Sequence, residues 1–161
     1  MTTPAPETVP AAGTIRRLQA LAVAGWPQRR LAREAGLAVS SLAGLMKADI
    51  VPVATARAVA AVYARYSGAS PGLCGVSHLH ARAARDRAAT AGWAPAAAWD
   101  DDTIDDPAAI PQWTGHCGTT RGADLHARYD MPLCPPCEAA LYRRRLRAEA
   151  RARRALSTTR A

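Results

Sequence analysis

The sequence has no phenylalanine, a single lysine and only eight aromatic residues among its 161. Long Val/Ile/Thr runs are also missing, which removes the usual signature of buried strands. No stretch of about 18 apolar residues is present, so a membrane-spanning helix is excluded. The opening MTTPAPETVPAAG has neither a basic n-region nor an apolar h-region, so no secretory signal is read there. These absences lead us to expect a cytoplasmic protein. Structural disulfides are rare in that compartment, so the four cysteines favour metal or redox chemistry.

What is abundant is alanine, 39 residues, and arginine, 20 residues. Alanine is the best helix former, so the prior is a mainly α fold. It buries little area, however, and large apolar side chains are few. Small helical units are expected rather than one thick core. The net charge of +8 is unevenly spread. Residues 14–67 and residues 138–161 each carry eight bases against two acids, while 92–113 holds five aspartates and no base. Two basic blocks around an acidic one point to polyanion binding, most directly to nucleic acid.

Four segments follow from the pattern. Residues 1–13, with three prolines, read as a disordered arm. Residues 14–67 read as a bundle of about four helices. The first carries Ile15, Leu18, Leu21 and Ala22 and ends at Gly25; the others span about 28–35, 39–48 and Pro52 to Tyr66. Residues 68–113 read as a loop, a polar helix over 78–91 and an extended Pro/Asp-rich linker. Trp93, Trp99, Ile104 and Trp113 are candidate anchors within that linker, and its aspartates are either a solvated spacer or a strap folded back on basic surfaces. Residues 114–161 read as a Cys/His loop leading into a long basic helix.

The strongest pattern in the first half runs from Gln28 to Leu45. Leu31 and Ala32 would face inward, with the small alanine letting two helices approach. Gly36 permits a positive-φ turn, and Leu42 and Leu45 tie the second helix to the core. This is helix-turn-helix spacing, in which the second helix enters the major groove. Over residues 14–67 the chain resembles the Cro/phage-repressor (Xre-type) helix-turn-helix family.

The resemblance implies double-stranded DNA as partner. It places Gln28 at a phosphate and Val39, Ser40, Ser41, Ala43, Gly44 and Lys47 on the groove-facing side, with Arg29 and, in the next helix, Thr55 also within the DNA-binding set. Two departures stand out. Pro27 and Ala38 occupy positions where the family has Ser or Thr caps, each worth about 1 kcal/mol. The recognition face also lacks Arg, Asn and Gln, which make bidentate base contacts. Specificity is then left to DNA shape, to half-site spacing in a homodimer, or to the other half of the chain.

In the last segment Cys117, His126, Cys134 and Cys137 form C-x8-H-x7-C-x2-C, a candidate tetrahedral Cys3His set for structural Zn2+. Pro135 and Pro136 stiffen the closing loop. His116 is the rival nitrogen ligand, but chelation jointly with adjacent Cys117 would be strained. A thioredoxin-like redox couple needs a preceding strand that TGHCGTTRGADLHARYDMP does not offer, and unliganded cysteines are the third reading. Cys74 with His78 and His80 is a weaker second set. Residues 115–145 resemble small Cys-Gly-Thr…His…Cys-x2-Cys modules of actinobacterial and phage proteins, which favours His126 over His116.

Arg143, Arg144 and Arg147 head an arginine-rich helix suited to tracking phosphates. The expectation is therefore a DNA-binding protein, a transcriptional regulator of phage or mobile-element type, with structural zinc. No catalysis and no small-molecule substrate are expected, since neither a HExxH pattern nor a carboxylate–histidine cluster is present. The alternative is an adaptor that binds an acidic protein partner through the arginine helix.

Overall fold

Glycine and proline punctuate the chain closely enough to hold most helices to four turns or fewer. The computed structural model describes residues 6–112 and 116–158, and the chain divides between Pro111 and Gln112 into two compact units.

The first unit contains β1 (Thr8–Pro10), α1 (Ala12–Ala24), α2 (Gln28–Glu34), α3 (Val39–Leu45), β2 (Ile50–Pro52), α4 (Val53–Tyr66) and α5 (His78–Ala91). A single 3-10 turn, Ala96–Ala98, follows. The second unit contains α6 (Thr120–Arg128) and α7 (Pro135–Thr158). The mainly α expectation holds. No helix among the described residues is long and apolar enough to cross a membrane.

Part of the expected disordered arm is ordered. Val9 of β1 pairs antiparallel with Val51 of β2, and Ala11 N–H donates to the Asp49 carbonyl at 2.9 Å. The prolines at the ends of both strands tolerate this because a two-stranded ribbon has only edges. Residues 1–5 of the arm lie outside the described residues.

Helix α1 is the centre of the unit and packs against both α4 and α5. Leu18 and Leu21 of α1 meet a core that includes Leu31, Leu42, Val59, Val62 and Tyr66, with Trp26 wholly buried beneath them. The rings of Trp26 and Tyr66 lie 4.4 Å apart at 45°, a tilted aromatic pair. Gly25 ends α1 at φ 105°, and a Cβ there would lie 2.9 Å from the Arg85 guanidinium. That guanidinium reaches from α5 to donate to the Ala24 carbonyl, one of the acceptors a helix end leaves unpaired.

Helix α5 spans the expected residues and buries Ala81, Ala84 and Ala88. It and the segment after it belong to the same compact unit as α1–α4, with no break at residue 67.

The Asp-rich segment is not extended. Ile104 is fully buried, and Trp93 and Trp99 are half-buried; Trp113 lies outside the described residues. Arg16 donates to the carbonyls of Ile104 at 2.8 Å, Pro107 at 3.1 Å and Ala109 at 2.7 Å, and also to that of Asp106. Its guanidinium lies 4.6 Å from the Trp99 ring centroid. Arg17 forms a two-pronged ion pair with Asp105. The pair, with burial opposing it, holds the Asp105 carboxyl below its ordinary pKa. The segment is thus a strap across α1. Its hold comes mostly from main-chain carbonyls, which any sequence would supply.

Candidate metal centre and helix-turn-helix surface

The second unit is built around one turn and two helices. The Thr119 hydroxyl donates to the His116 carbonyl at 2.6 Å and accepts from the Gly122 N–H at 3.0 Å, capping α6. The loop that carries Cys117 is thereby fixed to the start of the helix. Gly122 is required by the close approach of the two: a Cβ there would lie 2.7 Å from the His116 carbonyl carbon and 3.0 Å from Cys117 Cα.

One face of α6 buries Gly122, Ala123 and His126. The His126 carbonyl accepts from Met131 N–H at 2.8 Å, turning the chain back through Asp130 at φ 51°. The Cys134 carbonyl then accepts from the N–H groups of Cys137 and Glu138, both at 3.0 Å, to start α7.

The result brings Cys117, His126, Cys134 and Cys137 together, their ligand atoms all within 4.8 Å of one another. Cys117 Sγ lies 3.3 Å from His126 Nε2. Around a tetrahedral ion with bonds of about 2.0–2.3 Å, donors stand roughly 3.3–3.8 Å apart. A small contraction of the cluster would therefore close it on one ion. Burial opposes ionisation of Cys134, but hydrogen bonds from the Cys137 N–H and from the thiols of Cys117 and Cys137 outweigh it and lower the pKa. The four residues could hold a metal ion, and they are the four that the spacing selected. His116 is outside the cluster.

No strand precedes Cys134 among the described residues of this unit, so the sheet a thioredoxin-like site requires is not found there. The weaker Cys74, His78 and His80 set forms no such cluster among the described residues. Cys74 packs against the core, and the His80 ring is paired to the Ser77 hydroxyl at 2.8 Å.

In the first unit, α2 and α3 form a helix–turn–helix pair. Leu31 and Ala32 of α2 and Leu42 and Leu45 of α3 are buried. Gly36 sits at φ 68°, and Leu37 N–H closes the turn on the Ala32 carbonyl at 2.8 Å. Pro27 and Ala38 occupy the cap positions in extended conformation with no side-chain bond, as the sequence indicated. Arg29, Val39, Ser40, Ser41, Ala43, Gly44 and Lys47 are exposed, while Gln28 and Thr55 are half-buried.

A groove of about 880 Å³ runs beside this pair, between α2, the start of α3 and α5. Arg29, Arg33 and Arg87 line it. Sequence reasoning did not pick out Arg33 or Arg87. Arg87 comes from a distant helix, and no local spacing links it to α2.

Along α7, Arg143, Arg144 and Arg147 are exposed, as are the residues that follow to 156. Among the described residues of this helix, only Cys137 and Ala140 are buried. No protein-family model, curated protein or solved structure matches the chain.

Proposed function

We propose that this is a DNA-binding protein of the transcription-regulator type, with α3 entering the major groove. The observation that carries the reading is the division of α2 and α3 into two faces. Leu31, Ala32, Leu42 and Leu45 lock the pair to the core, and Val39, Ser40, Ser41, Gly44 and Lys47 are left exposed on or just beyond α3. Gln28, Arg29 and Thr55 would touch phosphates. The short side chains of α3 favour close approach and readout of DNA shape over bidentate base contacts.

In the second unit, three thiolates and an imidazole favour zinc, and four protein ligands leave no open position for catalysis. The metal is accordingly structural. It would fix the start of α7, whose Arg143, Arg144 and Arg147 add phosphate contacts. A phage or mobile-element origin rests on the sequence resemblance alone.

Selection of bound fragments from a random duplex pool, read by sequencing, tests binding and specificity together. The expected result is enrichment of a short motif, with log affinity falling linearly against log salt. Absence of binding to any duplex at low salt would overturn the reading. It would favour an adaptor for an acidic protein, for which Tyr142 and Leu146, exposed among arginines, offer apolar contacts.

A further inference from the structure

We propose that the second unit carries its own binding cleft for a phosphodiester backbone, formed by one arginine row of α7 facing the Gly118–Thr120 turn. The proposal rests on the nucleic-acid reading for the class of its partner, but not on the α2–α3 pair.

Arg143, Arg147 and Arg151 recur every fourth residue, so they form one row along the helix at steps of about 6 Å. Arg144 stands beside them. These four guanidinium groups line a cleft of about 440 Å³ whose opposite wall is the turn immediately after Cys117. The floor includes Ala140 and Ala148, which are small enough to let a ligand backbone come close. Arg143 Nη2 donates to the Gly118 carbonyl at 3.3 Å and ties the two walls together at one end.

No carboxylate lines this cleft among the described residues. Glu149, the nearest acid on the helix, pairs with Arg145 at 3.1 Å instead. Like charges four residues apart destabilise a helix, and here three stand in sequence with no carboxylate paired to them among the described residues. A run of regularly spaced anions relieves that repulsion, and a nucleic-acid strand supplies one. The cleft is open to solvent and its arginines follow one another along the helix, so it suits a strand passing along it better than a single enclosed anion.

Both walls start at metal ligands. Gly118 follows Cys117 directly, and Ala140 lies one turn beyond Cys137. Binding in the cleft therefore depends on the metal centre, although no metal atom touches the strand.

The test uses full-length protein and two unrelated 20-base-pair duplexes, with affinity measured across salt concentration. An Arg147→Ala/Arg151→Ala variant should weaken both duplexes alike and lower the slope of log affinity against log salt by about 2, one unit per phosphate contact. Arg147→Lys/Arg151→Lys should keep most of the slope. Circular dichroism and metal content of both variants should match the parent, because these side chains are exposed.

Unchanged affinity and slope in the alanine variant would overturn the cleft. If an Arg29→Ala/Lys47→Ala variant loses affinity in that same experiment, the α2–α3 reading survives by itself. Failure of the unaltered protein to bind either duplex, with capture of a polyglutamate peptide instead, would overturn both.

Discussion

Cys117 Sγ lies 3.3 Å from His126 Nε2, bringing a residue of the loop before α6 against one near the end of that helix. The distance suits two donors sharing one tetrahedral ion. His126 is almost wholly buried, so its ring is held in place without solvent.

Around this pair the described residues of the second unit bury few large side chains. Among its described residues the buried apolar ones are Ala123, Met131, Cys137 and Ala140, and each alanine contributes only about one buried methyl, roughly 0.8 kcal/mol. Metal binding should therefore supply the folding energy of this unit. Chelation, or a Cys137→Ser substitution, should remove the helical signal of α6 and α7 and leave the thermal transition of the first unit in place. Far-UV circular dichroism, together with a metal-to-protein ratio near one falling toward zero, checks this.

A second expectation concerns acid. Tyr66 Oη donates to Glu34 Oε2 at 3.0 Å, and Arg30 Nε lies 2.7 Å from Oε1. The tyrosine hydrogen bond is the largest influence on Glu34. Burial opposes it, Arg30 adds to it, and the carboxyl pKa is lowered. A carboxylate with a lowered folded-state pKa stabilises fully above its unfolded value. It loses that contribution as pH falls through the folded value. Glu34→Gln should thus cost about 1–2 kcal/mol at pH 7 and progressively less below pH ~4. Urea unfolding of both proteins at the two pH values measures the gap.

How much of this was legible in the sequence depends on whether the signal is local. The α4 span follows from apolar spacing after Pro52, the α5 span from an alanine-rich polar run, and His126 was separable from His116 by chelate strain together with the module resemblance. Helices α2 and α3 stop at Glu34 and Leu45, earlier than the pattern suggested, because their last turns tighten before the chain leaves. The β1–β2 ribbon was not legible: three-residue strands far apart in sequence have no periodicity to detect. The Asp-rich strap was misread as extended because its bonds use main-chain carbonyls. Only Ile104 among its side chains shows the anchoring by full burial.

That strap makes a third prediction. Arg16 bonds carbonyls from Ile104 to Ala109 with two nitrogens of one planar group. Arg16→Ala should release residues 100–110 and expose them to an aspartate-specific endoprotease. Arg16→Lys should not restore protection, because one ammonium cannot span the fork. Cleavage rates followed by mass spectrometry should rise similarly in both variants. Protection in the lysine variant would show that charge alone holds the strap.

The glycines of two helices separate close approach from mere permissiveness. At Gly44, in the last turn of α3, an added Cβ meets nothing within 4 Å, and the residue is exposed at negative φ. Gly44→Ala should accordingly stabilise the first unit by about 0.5–1 kcal/mol through the lower entropy of the unfolded chain. At Gly122 of α6 the same change drives a methyl into backbone atoms of His116 and Cys117, which have no flexible end to yield. The gain in helix propensity, about 1 kcal/mol, is outweighed as the loop is pushed away from α6 and Cys117 is displaced from His126. Gly122→Ala should lower metal affinity by at least tenfold and depress the helical signal of the second unit. Metal competition with a chelating dye, run on both variants, should show a loss for Gly122→Ala and none for Gly44→Ala.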